Sequence, residues 1–132
     1  MIKYYSSIRV LSKSLNAEEI GNILSIKFDE KREIGQPRTK KTILKFTENV
    51  WILKSNTDPN LPLENHIENL FEKIGPEIKN FSQLEEKNCE VVCQCIIEGD
   101  YEEDGYPEIY FSPNLIKNLS LINASIDVDL YI

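Results

Sequence analysis

Six carboxylates fall within eleven residues, Glu98, Asp100, Glu102, Glu103, Asp104 and Glu108, with no basic residue among them. Tyr101 and Tyr106 are interleaved. Clustered acids can bind a divalent cation, but this run lacks the D-x-D-x-D-G order and the distal glutamate of a calcium loop. Acids mixed with tyrosines also suit protein contact, because the rings supply anchoring area and the charges steer a basic partner. The partner-binding residues expected on this reading are Asp100, Tyr101, Glu102, Glu103, Asp104 and Tyr106.

Other chemistry-bearing residues are sparse. Asp127 and Asp129 alternate on one strand face, with side chains roughly 7 Å apart by strand geometry. A carboxylate pair of that kind could serve a divalent-metal hydrolase or a ligand-binding protein. The simpler reading, two solvated carboxylates that keep a terminal strand soluble, is the favoured one. His66 is the single histidine, which removes any two-histidine mechanism and leaves a partly exposed packing residue on a helix flank. Cys89, Cys93 and Cys95 are an odd set within seven positions, a poor disulfide framework and, on a core strand, inert thiols. No catalytic residue, metal ligand or cofactor follows from this inventory.

The opposite charge gathers from Lys27 to Lys45, seven basic residues against three acidic. Arg38 through Lys45 could touch phosphate as a weak nucleic-acid binder. The run has no glycine-rich phosphate loop and no stacking aromatics, and the chain's net charge of −7 opposes it. Self-association through the two unlike patches is a further use of the asymmetry.

The frame that must position these residues is modest. A chain of 132 residues with 41% apolar side chains suits one domain, residues 1–132, and excludes a disordered one. No run approaches the roughly 20 apolar residues of a membrane helix. Residues Met1 to Ser7 hold no apolar stretch of signal-peptide length, so a cytoplasmic protein with reduced thiols is expected.

Periodicity supplies the elements. Tyr4 to Ser12 predicts a strand, with Ile8 and Val10 on one face and Arg9 on the other. Asn16 and Glu19 form a capping box for a helix that stops near Ser25, with Leu15 and Ile20 as its staple. Ile26 and Phe28 suggest a short strand and Asp29 to Glu33 a loop. Thr42 to Phe46 and Val50 to Leu53 predict a hairpin about Thr47-Glu48-Asn49, anchored by Trp51. Leu63 to Leu84 repeats apolar residues every three or four positions, interrupted at Gly75-Pro76. Glu90 to Glu98 is apolar on both faces, as a central strand is. Glu108 to Phe111 predicts a short strand and Ser112-Pro113 opens a helix lined by Leu115, Ile116 and Leu119. Ile126, Val128, Leu130 and Ile132 then alternate with Asp127, Asp129 and Tyr131, predicting one covered and one wet face. This order implies an α+β, two-layer fold: a mainly antiparallel β-sheet with helices packed on one face.

Phe111-Ser112-Pro113-Asn114-Leu115-Ile116, the ending Asp127-Val128-Asp129-Leu130-Tyr131-Ile132, the helix opening Leu63-Glu64-Asn65-His66-Ile67 and Trp51 in the strand before it together resemble the bacterial domain of unknown function 4279 family. The likeness runs from the first strand to the last residue. It implies a small α+β domain from a bacterial cytoplasm and brings no activity with it. The expected function is a non-enzymatic protein-interaction domain of immunity or antitoxin type, with a basic protein as partner and neither membrane nor nucleic acid.

Overall fold

The computed structural model describes all 132 residues. Its centre is a five-stranded sheet in the order β2-β3-β1-β4-β5. These strands are β1 (Lys3–Ser12), β2 (Glu30–Arg32), β3 (Asn49–Lys54), β4 (Glu90–Glu98) and β5 (Ala124–Tyr131). The β1/β3, β1/β4 and β2/β3 pairs are antiparallel, and β5 joins β4 in parallel. The helices are α1 (Ala17–Leu24), α2 (Leu63–Ile74), α3 (Ser82–Glu85), α4 (Tyr101–Asp104) and α5 (Pro113–Leu121), with a 3-10 helix at Gly75–Phe81 between α2 and α3. The expected α+β class is the one observed.

Alternation along the strands decides what is covered. Tyr4, Ser6, Ile8 and Val10 of β1, Trp51 and Leu53 of β3, and Val91, Cys93, Cys95 and Ile97 of β4 are buried on the helical side. They meet Ile20 and Leu24 of α1, Leu63, Ile67, Leu70 and Ile74 of α2, and Leu115 and Leu119 of α5 in one cluster. Burying such side chains is worth about 1.5–3 kcal/mol each. The helix starts are encoded locally. Asn16 accepts from the Glu19 amide at 2.8 Å while Glu19 accepts from the Asn16 amide, completing the box, and Ser112 caps α5 through the Leu115 amide. Gly75 takes a positive φ of 53°, which ends α2 and lets Pro76 begin the tighter 3-10 turn.

Several boundaries differ from the sequence reading. The short strand is not at Ile26 and Phe28 but at Glu30–Arg32, inside the run expected to be loop. Ion pairs hold it: Lys31 to Glu18 and Glu33, Arg32 to Glu30, and Glu30 to Lys54. Such a strand shows no apolar alternation. The hairpin about Thr47-Glu48-Asn49 does not form. Residues 35 to 46 fold back on themselves, with the Arg38 amide bonded to Leu44 and the Phe46 amide to Gln36. Asn49 instead opens β3, its side chain accepting from the Ile34 amide and donating to the Leu15 carbonyl.

Glu108 to Phe111 is not a strand either. The Glu108 amide donates to the Tyr4 hydroxyl, so the chain crosses the end of the sheet without pairing. Ile116, expected inside, faces solvent at 54% exposure. β4 is interior but only one of its faces is buried; Val92, Gln94 and Ile96 are half-exposed. β5 is the sheet's edge, and its apolar row is largely open rather than covered, with Ile126 and Leu130 exposed.

Candidate functional site

Two surfaces carry the polar chemistry of this domain, one expected from sequence and one not. The expected one is the acidic corner. After β4 the chain turns into α4, a single helical turn whose cap is Asp100, accepting from the Glu102 amide. Asp104 is the corner's fastener. One of its oxygens sits 2.8 Å from the amino group of Met1 and the other accepts from the Asp100 amide. The Met1 ammonium holds the Asp104 carboxyl below its ordinary range, aided by that amide. Asp100 and Asp104 therefore build the corner, and they are not its free groups. Tyr101, Glu102, Glu103 and Tyr106 are exposed. The two rings stack at 6.1 Å, and Tyr106 stands out at 86% exposure. Ile109 and Tyr110 continue the exposed surface.

The second surface is the face of the sheet turned away from the helices, where Ile52 and Ser7 are nonetheless buried. In register across it lie Glu30, Ile52, Arg9 and Val92 in one row, and Lys54, Ser7, Gln94 and Asp127 in the next. Arg9 thus sits on the middle strand, half-buried, and its Nε donates to Ser7 Oγ at 3.2 Å. Burial lowers its basicity, and neighbouring Arg32 adds to that effect. A shallow concavity of about 290 Å³ opens here, bordered by Ser7, Arg9, Lys54 and Gln94 and by the carboxylates Glu30 and Glu98. Sequence reading placed Arg9 on the strand's second face without weight. The signal was a lone charge between Ile8 and Val10, meaningful only once β1 is known to be the central strand.

Asp127 and Asp129 share this face. Asp129 accepts from the Gln94 amide at 2.7 Å, so the two carboxylates are not equivalent. No three His, Cys, Asp or Glu side chains gather so as to hold a metal ion.

His66 is not the partly exposed flank residue expected, because α2 turns it inward to 1% exposure. Its Nδ1 shares a 2.9 Å hydrogen bond with Ser55 Oγ, while Nε2 is buried without a partner. Burial depresses its basicity, and the carbonyls of Leu61 and Asp58 together with the Asp58 charge partly oppose this. A Ser-His contact is the start of a nucleophile-base pair, but such a base is oriented by an acceptor on its second nitrogen. None is bonded there. The contact stitches the end of β3 to the first turn of α2.

Cys93 and Cys95 lie on the buried face with Ser6 Oγ 3.7 and 3.8 Å from their sulfurs. The Cys95 sulfur and burial push the Cys93 thiol far up, so it stays protonated. Cys89 precedes β4 and is half-exposed, packed against the margin of the core rather than buried within it. The basic segment projects as the folded-back arm of residues 35 to 46. Arg32 and Arg38 each lie 5.7 Å from the Phe46 ring, and Ile43 and Leu44 are exposed near the arm's tip.

Helices on one face of a five-stranded, mostly antiparallel sheet, with polar groups on the other, define a small two-layer α+β domain. The chain belongs to the family described as Domain of unknown function (DUF4279), whose model matches residues 2–132. No match is found among curated proteins or solved structures. No helix is long and apolar enough to cross a membrane.

Proposed function

We propose that this is a non-enzymatic bacterial interaction domain whose acidic corner captures a basic protein surface, in the manner of an immunity protein or antitoxin acting in the cytoplasm. The observation supporting the reading is the stacked pair Tyr101 and Tyr106, held outward by α4 among Glu102, Glu103 and Glu108. A monomer gains little by displaying a ring at 86% exposure. A binding surface gains a rigid anchor of low conformational cost. The carboxylates beside it raise the rate of encounter with a basic partner.

The test follows from which groups are free. Glu102→Lys, Glu103→Lys and Tyr106→Ala alter the display and leave Asp100 and Asp104, which fasten the corner, untouched. Capture from lysate of the source bacterium, compared between the wild type and this triple variant, should yield a basic protein bound by the first and lost by the second. That binding should weaken as salt is raised. Equal capture by both proteins, or a salt-independent prey, would discard the acidic-corner mechanism.

A further inference from the structure

We infer that the face of the sheet turned away from the helices binds a small oxyanion, a carboxylate or phosphate, on the guanidinium of Arg9. This site is separate in mechanism from the acidic corner and does not rest on it.

The case begins with where the arginine lies. β1 is the middle strand, and Arg9 pairs with Ile52 on one side and Val92 on the other, so it stands over the centre of the sheet. A guanidinium presents five N–H donors, and within the chain Arg9 uses one, from Nε to Ser7 Oγ. The carboxylates nearest in charge are committed elsewhere. Glu30 is paired with Arg32 at 2.7 Å and Lys54 at 2.8 Å, and Asp129 accepts from Gln94 at 2.7 Å. None comes within ion-pair distance of Arg9. The terminal nitrogens are therefore a fork without a load, the geometry that receives two oxygens of a carboxylate or phosphate.

The surroundings fit the same ligand. Ser7, Ser55, Gln94 and Lys54 border one concavity together with Glu30 and Glu98, with Ile96 and Tyr5 as its apolar wall. Ser55 bonds His66, Gln94 bonds Asp129 and Lys54 pairs with Glu30, so the Arg9 fork and the Ser7 hydroxyl are the donors left to an oxyanion. The charges lining the concavity balance, Arg9 and Lys54 against Glu30 and Glu98. With Glu30 shared between Arg32 and Lys54, the guanidinium of Arg9 is the cation without an ion-pair partner. A space of about 290 Å³ is at the small end of ligand sites, so the occupant is a phosphate or a short organic acid rather than a nucleotide.

The full chain, labelled with nitrogen-15, is titrated with inorganic phosphate and separately with succinate, each against sodium chloride at equal ionic strength. Saturable shifts confined to the amides of Ser7, Lys54, Ser55 and Gln94 are expected with at least one of the two. Which salt produces them identifies the oxyanion. Arg9→Lys keeps the charge but loses the fork, and should weaken binding tenfold or more. Lys54→Gln, at an exposed position, should weaken it several-fold and serves if Arg9→Lys fails to fold. Linear shifts scattered as in chloride, or binding by both variants equal to the wild type, overturn the site.

Discussion

The indole Nε1 of Trp51 donates to the backbone carbonyl of Ile26 at 3.1 Å, joining the buried middle of β3 to the segment that leaves α1. The Ile26 amide in turn donates to the carbonyl of Gly21. A Cβ on Gly21 would lie 3.0 Å from that same Ile26 oxygen and 3.6 Å from the indole nitrogen. Helix propensity alone would make Gly21→Ala stabilising by about 1 kcal/mol. The close approach should cancel or reverse that gain, read as an unchanged or lower urea midpoint at constant slope. Trp51→Ala should cost about 3–5 kcal/mol, for the cavity and the lost donor together. A Gly21→Ala protein more stable by the full propensity value would show the contact to be slack.

The capping box at α1 offers an independent measurement. Asn16→Ala should lower stability by about 1 kcal/mol, since it strands the Glu19 amide. Glu19→Ala removes the return bond to the Asn16 amide, and the double variant should lose less than the sum of the two. Strict additivity in denaturant unfolding would mean that the two bonds are not coupled.

His66 makes stability depend on pH with a defined sign. Burial lowers its folded pKa below the ordinary value of about 6.5, so between those values the unfolded chain binds the proton and the native one does not. Stability is therefore full above about pH 6.5 and falls as pH drops toward the folded value, by at most about 1.4 kcal/mol per pH unit. His66→Met should flatten this slope relative to the wild type. Parallel stability curves for the two proteins between pH 7 and 5 would remove the assignment.

Thiol chemistry separates the three cysteines. An aromatic disulfide reagent should label half-exposed Cys89 in the native protein. Cys93 and Cys95, both buried, should react only at the rate of opening. In Cys89→Ser the native protein should be nearly inert, and full labelling should appear in denaturant. Rapid native labelling of that variant would show that β4 breathes open.

What the sequence displayed and what it hid divide along physical lines. α1 was legible because its start rests on two residues three apart, Asn16 and Glu19, and Trp51 was legible as an anchor because one large ring needs a core. β2 was not, because Glu30, Lys31 and Arg32 are held by ion pairs with partners as distant as Glu18 and Lys54, which leave no alternation to read. The exposed row of β5 was misread because alternation reports a strand's two faces but not whether a helix reaches far enough to cover one. The acidic corner was visible as composition, yet only the fold separates the fastening Asp104 from the free Glu103. The Arg9 concavity was hidden more deeply, since Ser7, Lys54 and Gln94 come from three strands that only the register brings into one row.

The place of β1 in the middle of the sheet has a kinetic consequence. Ser7 pairs with Lys54 on one side and Gln94 on the other, so completing the sheet closes loops of 47 and 87 residues onto one segment. Loop-closure entropy grows slowly with length, and the two closures differ by only about half a kcal/mol. Neither neighbour has a decisive head start, and the β2/β3 and β4/β5 pairs become one sheet only through the first strand. Folding should be slow for a domain of this size, and substitutions in β1 should retard refolding more than equally destabilising ones in β5.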